Sequence, residues 1–175
     1  MDCVINVFKE KGYTSQDVVS ICKGILKTKK IGHAGTLDPD ATGVLLLGVG
    51  KGTKITEYLM EYGKTYIFEM VFGTSTDTLD LSGNVTGFSD KTYDKEKLKQ
   101  ILDDLNGKTI EQVPPMYSAV KVNGKKLYEY ARENKEIKRK SRKITIYNIE
   151  PLHLLENSCI IKVKCSKLTY IIFFI

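Results

Sequence analysis

The sequence has little of what metal, redox and hydrolytic sites are built from. Its four cysteines, Cys3, Cys22, Cys159 and Cys165, stand apart. No two have Cys-x-x-Cys spacing, and the two histidines form no cluster with them. The ligand spacing of a metal centre is absent, so no metal is expected. Scattered single cysteines fit a reduced, intracellular protein that uses them as small buried side chains; the expected location is cytoplasmic. No apolar run approaches the ~18 residues of a spanning helix, so no membrane partner is expected. The N-terminus carries Asp2 and no long apolar run, unlike a signal peptide. There is no Ser-His-Asp order, no internal repeat and no low-complexity linker. Gly48-Val-Gly-Lys-Gly-Thr has the look of a phosphate loop, but Leu45 stands where the first glycine belongs and Gly52 replaces Ser/Thr. A P-loop nucleoside triphosphatase is excluded.

What is present suits one domain over residues 1–175. The length allows a sizeable core, and 42% hydrophobic with 27% charged residues is the balance of a soluble globular chain. The basic excess is local. Between Lys121 and Lys143 ten Lys or Arg face three Glu, a net of +7 that leaves −1 for the rest of the +6 chain. Tyr128 and Tyr130 are interleaved with these cations. Positive charge with aromatics is a footprint of nucleic-acid binding, and equally of a solvated charged face.

Along the chain, Val4–Phe8 reads as a strand. Thr14 with Asp17 opens a helix with Val18, Ile21, Cys22 and Ile25 on one face, ending near Leu26 to Thr28. The run Val44–Val49 reads as a buried strand. Thr53 is expected to cap a short helix carrying Ile55, Tyr58 and Leu59. Lys64–Gly73 alternates as a strand, with Tyr66, Phe68, Met70 and Phe72 on one face. Thr74–Gly83 reads as loop. Asp94 caps a helix through Leu105, with Leu98, Ile101, Leu102 and Leu105 buried and Gly107 past its end. Val113-Pro-Pro-Met-Tyr-Ser is forced into an extended segment. Asn123-Gly124 signals a hairpin turn, Leu127–Arg132 a short helix, and Ile144–Tyr147, Leu152–Leu155 and Ile160–Cys165 strands. Strands outnumber helices and several are joined by short turns, which argues for an α+β fold with a largely antiparallel sheet.

With no cofactor loop, the chemical candidate is a lone carboxylate. Asp38 lies between Gly32, Gly35 and Pro39 on a loop that runs into an apolar strand. Pro39 pushes Asp38 toward an extended backbone, so the fold holds the carboxylate in a set direction. A lone aspartate so held serves as nucleophile or base; Asp-Pro-Asp is also ordinary turn chemistry. His33, five residues earlier, either orients a substrate or bonds the backbone.

The stretch His33-Ala-Gly-Thr-Leu-Asp38-Pro-Asp-Ala-Thr-Gly-Val-Leu45 closely resembles the catalytic-loop motif of the bacterial tRNA pseudouridine-55 synthases, the TruB family. Tyr13-Thr-Ser-Gln-Asp-Val-Val, Lys64-Thr-Tyr66 with Thr76-Asp-Thr-Leu-Asp80, and Val113-Pro-Pro-Met-Tyr-Ser-Ala-Val-Lys through Arg132 match in the same order. The resemblance implies a pseudouridine-synthase-like mixed, largely antiparallel sheet flanked by helices, and an isomerase that detaches uridine from its ribose, turns it and rejoins it through carbon 5. Asp38 would be the catalytic aspartate. Tyr66 would stack on the flipped base, His33 would hold the RNA loop with the target nucleotide turned out, and Tyr170 would line the uridine pocket. The implied partner is the T arm stem-loop of tRNA, read by shape and backbone. No cofactor or metal is implied, and a monomer is expected.

The chain departs from the family pattern at its end. The family has Cys-Ser-Lys-Gly-Thr-Tyr-Ile-Arg; here Cys165-Ser-Lys-Leu168-Thr-Tyr170-Ile-Ile172 is followed by Phe-Phe-Ile. Leu168 replaces a glycine, and Ile172 replaces the arginine that pairs with the catalytic aspartate. The expectation is a C-terminally truncated catalytic domain, without the family's C-terminal RNA-binding domain, in a frame that is shifted or ends early. Its activity would be impaired; the alternative is a non-catalytic RNA-binding fragment. Truncation would also expose a sheet edge and the apolar tail Tyr170 to Ile175.

Overall fold

The computed structural model describes residues 1–175 except Tyr117, Ala119, Asn134 and Ile175. Tyr117 in the expected extended segment, and Ile175 in the apolar tail, therefore lie outside the described residues. Two compact units divide the chain, Met1–Tyr62 and Gly63–Ile175.

The first unit runs β1 (Cys3–Lys9), α1 (Ser15–Ile25), β2 (Ile31–His33) and β3 (Gly43–Val49), then a 3-10 turn (Gly50–Ile55) and α2 (Thr56–Glu61). β3 is central and pairs antiparallel with both β1 and β2. The expected capping box opens α1: Thr14 Oγ1 accepts from the Asp17 N–H at 3.1 Å, and Asp17 Oδ2 accepts from the Thr14 N–H at 2.8 Å. The Thr14 hydroxyl, donating to Asp17 Oδ2 at 2.6 Å, and then the Thr14 N–H favour the ionised carboxylate and hold its pKa below the usual value. The buried stripe of α1 differs from the expected one. Ser15, Val18, Val19 and Cys22 face the sheet, while Ile21 and Ile25 are 48% and 71% exposed. Ser15 bonds the loop after β2, and that orientation turns Val19 inward and the isoleucines out. Val18, Val19 and Cys22 close on Ile31, Leu45, Leu47 and Val49 in one core.

Thr53 does not cap α2. Its hydroxyl donates to the Gly50 carbonyl at 2.8 Å inside the 3-10 turn, and Ile55 stands at the cap with no side-chain bond. The glycines here serve close approach. A Cβ on Gly48 would collide with the Gly52 carbonyl, and one on Gly52 with the Cys3 carbonyl.

The second unit runs β4 (Lys64–Val71), β5 (Thr74–Thr76), β6 (Val85–Phe88), α3 (Lys95–Leu105), β7 (Thr109–Gln112), β8 (Lys121–Val122), β9 (Lys125–Lys126), α4 (Leu127–Arg132), β10 (Arg142–Leu154) and β11 (Ser158–Cys165), and closes in a 3-10 turn (Ile171–Phe174). Its main sheet has the order β4-β11-β10-β7, antiparallel throughout. Met70, Ile146, Ile149, Cys159, Ile161, Val163 and Cys165 meet Leu98 and Leu102 of α3 in the core. Asp94 caps α3 as expected, accepting from the Glu96 and Lys97 N–H groups. Ile101 is 46% exposed rather than buried, because Leu98 and Leu102 define the inward stripe.

Two stretches depart from the expectation. Ile144–Tyr147 and Leu152–Leu154 belong to the single 13-residue β10, which ends one residue before Leu155 and runs through Pro151 with irregularities between Ile146 and Asn148 and between Pro151 and His153. Two backbone donors of β10 are taken by the α3–β7 connection: the Ile146 N–H by the Lys108 carbonyl at 2.9 Å, and the Ile149 N–H by Asn106 Oδ1 at 3.3 Å. The polar segment after Gly73 is a hairpin, β5–β6, shaped by carboxylates at its turn. Asp77 Oδ1 accepts from the Asn84 N–H, and Asp80 Oδ1 from the Ser82 N–H and the Thr78 hydroxyl. Burial raises the Asp80 pKa, but those bonds with the Ser82 hydroxyl prevail and lower it. The β8–β9 hairpin matches its signal, with Asn123 and Gly124 at φ 51° and 81°. The architecture is α+β.

Candidate active site

The first unit holds the Asp38 loop, and its backbone is tied down on both sides of the carboxylate. On one side, Ser15 Oγ accepts from the Leu37 N–H at 3.0 Å and donates to the Leu37 carbonyl at 3.3 Å. On the other, the Pro39 carbonyl accepts from the Gly12 N–H at 2.9 Å and from Lys9 Nζ at 3.2 Å. Lys9 is fully buried; its ammonium also donates to the carbonyls of Tyr13 at 2.7 Å and Glu10 at 3.0 Å. The Asp38 carbonyl accepts from the Ala41 N–H at 3.1 Å and closes the turn. The Asp38 side chain itself is exposed. A rigid backbone thus carries a carboxylate into solvent, the arrangement a nucleophile or base needs.

His33 lies at the end of β2, opposite Leu47. Its ring is half-buried, and its Nδ1 is buried without a hydrogen-bond partner. A buried polar atom of that kind is uncommon and asks for a partner.

Tyr66 and Tyr170 belong to the second unit. Tyr66 sits on β4 opposite Val163, half-buried against the core. Tyr170 follows β11, and its backbone is held by Gln112 at the end of β7. Tyr170, Ile171 and Ile172 are half-buried, with Ile171 against the core, so this part of the tail is less exposed than expected. Leu168 adopts φ 63°, the left-handed region where a glycine costs nothing. A Leu168→Gly replacement is expected to raise unfolding free energy by about 1 kcal/mol, read by chemical denaturation; a loss of stability would show that the turn carries no strain.

The basic segment uses its acids internally. Glu133 pairs with Lys125 and Lys135, Glu136 with Arg139, and Glu129 accepts from the Lys126 N–H. The bond from Glu133 holds the Lys125 pKa above its ordinary value, and the bond from Lys125 holds that of Glu133 below its own. Lys126 and Arg132 lie over the Tyr128 ring at 5.3 and 5.4 Å, and Lys125 over Tyr130 at 4.9 Å. Lys121, Lys138, Lys140 and Lys143 are exposed.

Lys9, Ser15 and Gln112 were not among the candidates from sequence. Lys9 carried a signal: it continues the inward parity of Cys3, Ile5 and Val7 along β1, so a charge falls where the strand faces the core.

A profile of the TruB family pseudouridylate synthase, N-terminal domain, matches residues 23–171. The chain belongs to the TruB family. It is 49% identical over 178 residues to "tRNA pseudouridine synthase B" of Caldanaerobacter subterraneus subsp. tengcongensis, covering 98% of this chain and 60% of that protein. Against the protein of the same name from Staphylococcus aureus strain JH9 the identity is 46% over 176 residues, with 96% and 57% covered. The chain thus spans less than two thirds of the length of these relatives. Among solved structures, it is similar to a chain in a Cbf5-Nop10-Gar1 complex, at a TM-score of 0.69 and 30% identity, covering 96% of this chain and 40% of that one. It is also similar to a chain in an H/ACA RNP bound to a substrate RNA containing 2'-deoxyuridine, at a TM-score of 0.66 and 26% identity, with 96% and 39% covered. The TruB assignment agrees with the α+β architecture and with the motif around Asp38. No helix among the described residues is long and apolar enough to cross a membrane.

Proposed function

We propose that this chain isomerises uridine to pseudouridine in the T arm of tRNA, as a cytoplasmic monomer, with Asp38 as the catalytic carboxylate. The observation that carries the reading is the Asp38 loop, tied at Leu37 and Pro39 so that an exposed carboxylate keeps one direction. Asp38 acts on the ribose, by attack on the sugar or by taking a sugar proton. Either route needs the carboxylate ionised and aimed. The glycosidic bond of a stacked uridine is shielded, so the nucleotide turns out of the loop at a cost of a few kcal/mol, offset by contacts in the pocket. His33, with its buried Nδ1 lacking a partner, would hold the RNA loop, and Tyr66 and Tyr170 would take the base.

A second reading is favoured by one residue. Ile172 is apolar where the family pattern places the arginine that pairs with the aspartate, so the chain would bind RNA without turning it over. Pseudouridine formation at uridine 55 of an unmodified tRNA transcript decides between the two. Product supports the enzyme; tRNA binding without product supports the binding module, and neither product nor binding overturns both.

The exposed cations supply the backbone affinity. Replacing Lys138, Lys140 and Lys143 together by Ala is expected to weaken tRNA binding about tenfold or more at 0.15 M salt and to flatten the slope of log affinity against log salt by about 2. Unchanged affinity and slope would take this face out of the RNA contact.

A further inference from the structure

β11 ends at Cys165, and the chain that follows leaves the sheet. Its first residue stays on β10: the Ser166 N–H donates to the Thr145 carbonyl at 2.8 Å, and Ser166 Oγ accepts from the Thr145 N–H at 2.9 Å. The left-handed Leu168 then reverses the chain, and Thr169 Oγ1 donates back to the Ser166 carbonyl at 2.8 Å. Past that turn, no strand among the described residues pairs with Tyr170. Its peptide groups meet a side chain instead. The Tyr170 N–H donates to Gln112 Oε1 at 2.9 Å, and Gln112 Nε2 donates to the Tyr170 carbonyl at 2.9 Å.

The Gln112 carboxamide therefore stands in for a peptide unit, giving one donor and one acceptor as a neighbouring strand would. It is only 8% exposed, at the last residue of β7, where its backbone is opposite Arg142. A side chain that buried is worth holding only if both its polar atoms are satisfied, and here one residue satisfies both. Asparagine is one methylene shorter. Glutamate keeps the acceptor for the N–H but sets an oxygen against the Tyr170 carbonyl. Glutamine alone makes both bonds from this position.

We propose that Gln112 is a positioning residue for Tyr170: its amide clamps the Tyr170 peptide and so sets the ring at the uridine pocket. The proposal rests on reading Tyr170 as a pocket residue, and the test separates the two. The probe is a T-arm stem-loop RNA carrying either uridine or adenosine at the target position, with affinities measured for the chain, Gln112→Ala, Gln112→Glu, Tyr170→Ala and the Gln112→Ala/Tyr170→Ala double variant. The chain is expected to prefer uridine. Tyr170→Ala removes that preference, and Gln112→Ala reduces it about tenfold, the worth of two hydrogen bonds. The double variant loses no more than Tyr170→Ala. Gln112→Glu, which keeps the shape and half the clamp, falls between. A purely structural glutamine would lower affinity for both RNAs alike and add to the Tyr170 variant. Amide exchange at Tyr170 accelerates in Gln112→Ala, and stays slow in Gln112→Glu, which keeps the acceptor for that N–H, while Ile161 and Val163 on β11 stay protected in both. Preference lost in Tyr170→Ala but retained in Gln112→Ala overturns the clamp alone. Preference retained in Tyr170→Ala, or absent in the parent chain, overturns the pocket reading and the proposal with it.

Discussion

Asp38→Ala is expected to lower pseudouridine formation by at least about 10³-fold, the scale seen when the reacting side chain of an enzyme is removed. The same variant should bind tRNA within about threefold of the parent, since affinity comes mainly from phosphate contacts. It should also be as stable as the parent to within about 0.5 kcal/mol, because the side chain is exposed and the loop is held by its backbone. Asp40 is the internal control. It shares the loop and pairs with Lys11 at 3.6 Å, with both side chains 72% exposed. Such a pair contributes little, so Asp40→Ala should keep most of the turnover. Strong residual turnover in Asp38→Ala, or equal losses in the two variants, would remove Asp38 from the proposed role.

Lys9→Met should destabilise the first unit by about 3 kcal/mol. Methionine has nearly the length of lysine, so the cavity left is small and the cost isolates the ammonium. Three carbonyls, of Glu10, Tyr13 and Pro39, lose their shared donor at once. The loss is also local. The Pro39 carbonyl keeps only the Gly12 N–H, so the segment after Asp38 loosens and the carboxylate loses its fixed direction. A misplacement of about 1 Å is worth roughly 10²-fold in rate. Denaturant unfolding followed by amide exchange at Gly12 measures both effects. Stability within about 0.5 kcal/mol of the parent would show that the buried ammonium does not hold the loop.

What a linear reading reaches and what it misses follow from where the forces act. β1, β3, β4, β11 and α3 announce themselves through apolar periodicity, because each buries one face against a core. The Asp38 loop announces itself through Pro39 and its glycines. Lys9 shows only as a charge at an inward position of β1, with no hint of its partners, and Ser15 not at all, because their work is done on residues 30 and 22 positions away along the chain. Ser15 looks like any first-turn residue of a helix, yet its bond to Leu37 sets which face of α1 turns inward and leaves Ile21 and Ile25 outside. The β5–β6 hairpin lacks apolar alternation and rests on Asp77 and Asp80 at its turn. Pro151 disguises the length of β10, since a proline usually marks a strand's edge or end. Gln112 is silent in sequence because its partner is a backbone, which has no residue type.

The irregular middle of β10 has a bearing on solubility. β7 pairs only with its first residues, Arg142 to Thr145, and beyond them that side of the strand has no neighbouring strand among the described residues. A long bare strand side is a template for another chain. Here the Ile146 and Ile149 N–H groups are already bonded to Lys108 and Asn106, Pro151 has no N–H to give, and the pairing shifts at both irregularities. A second chain approaching there would find a broken ladder with its donors spent. The irregular pairing around Pro151, which hides the strand in the sequence, thus also guards the molecule against self-association.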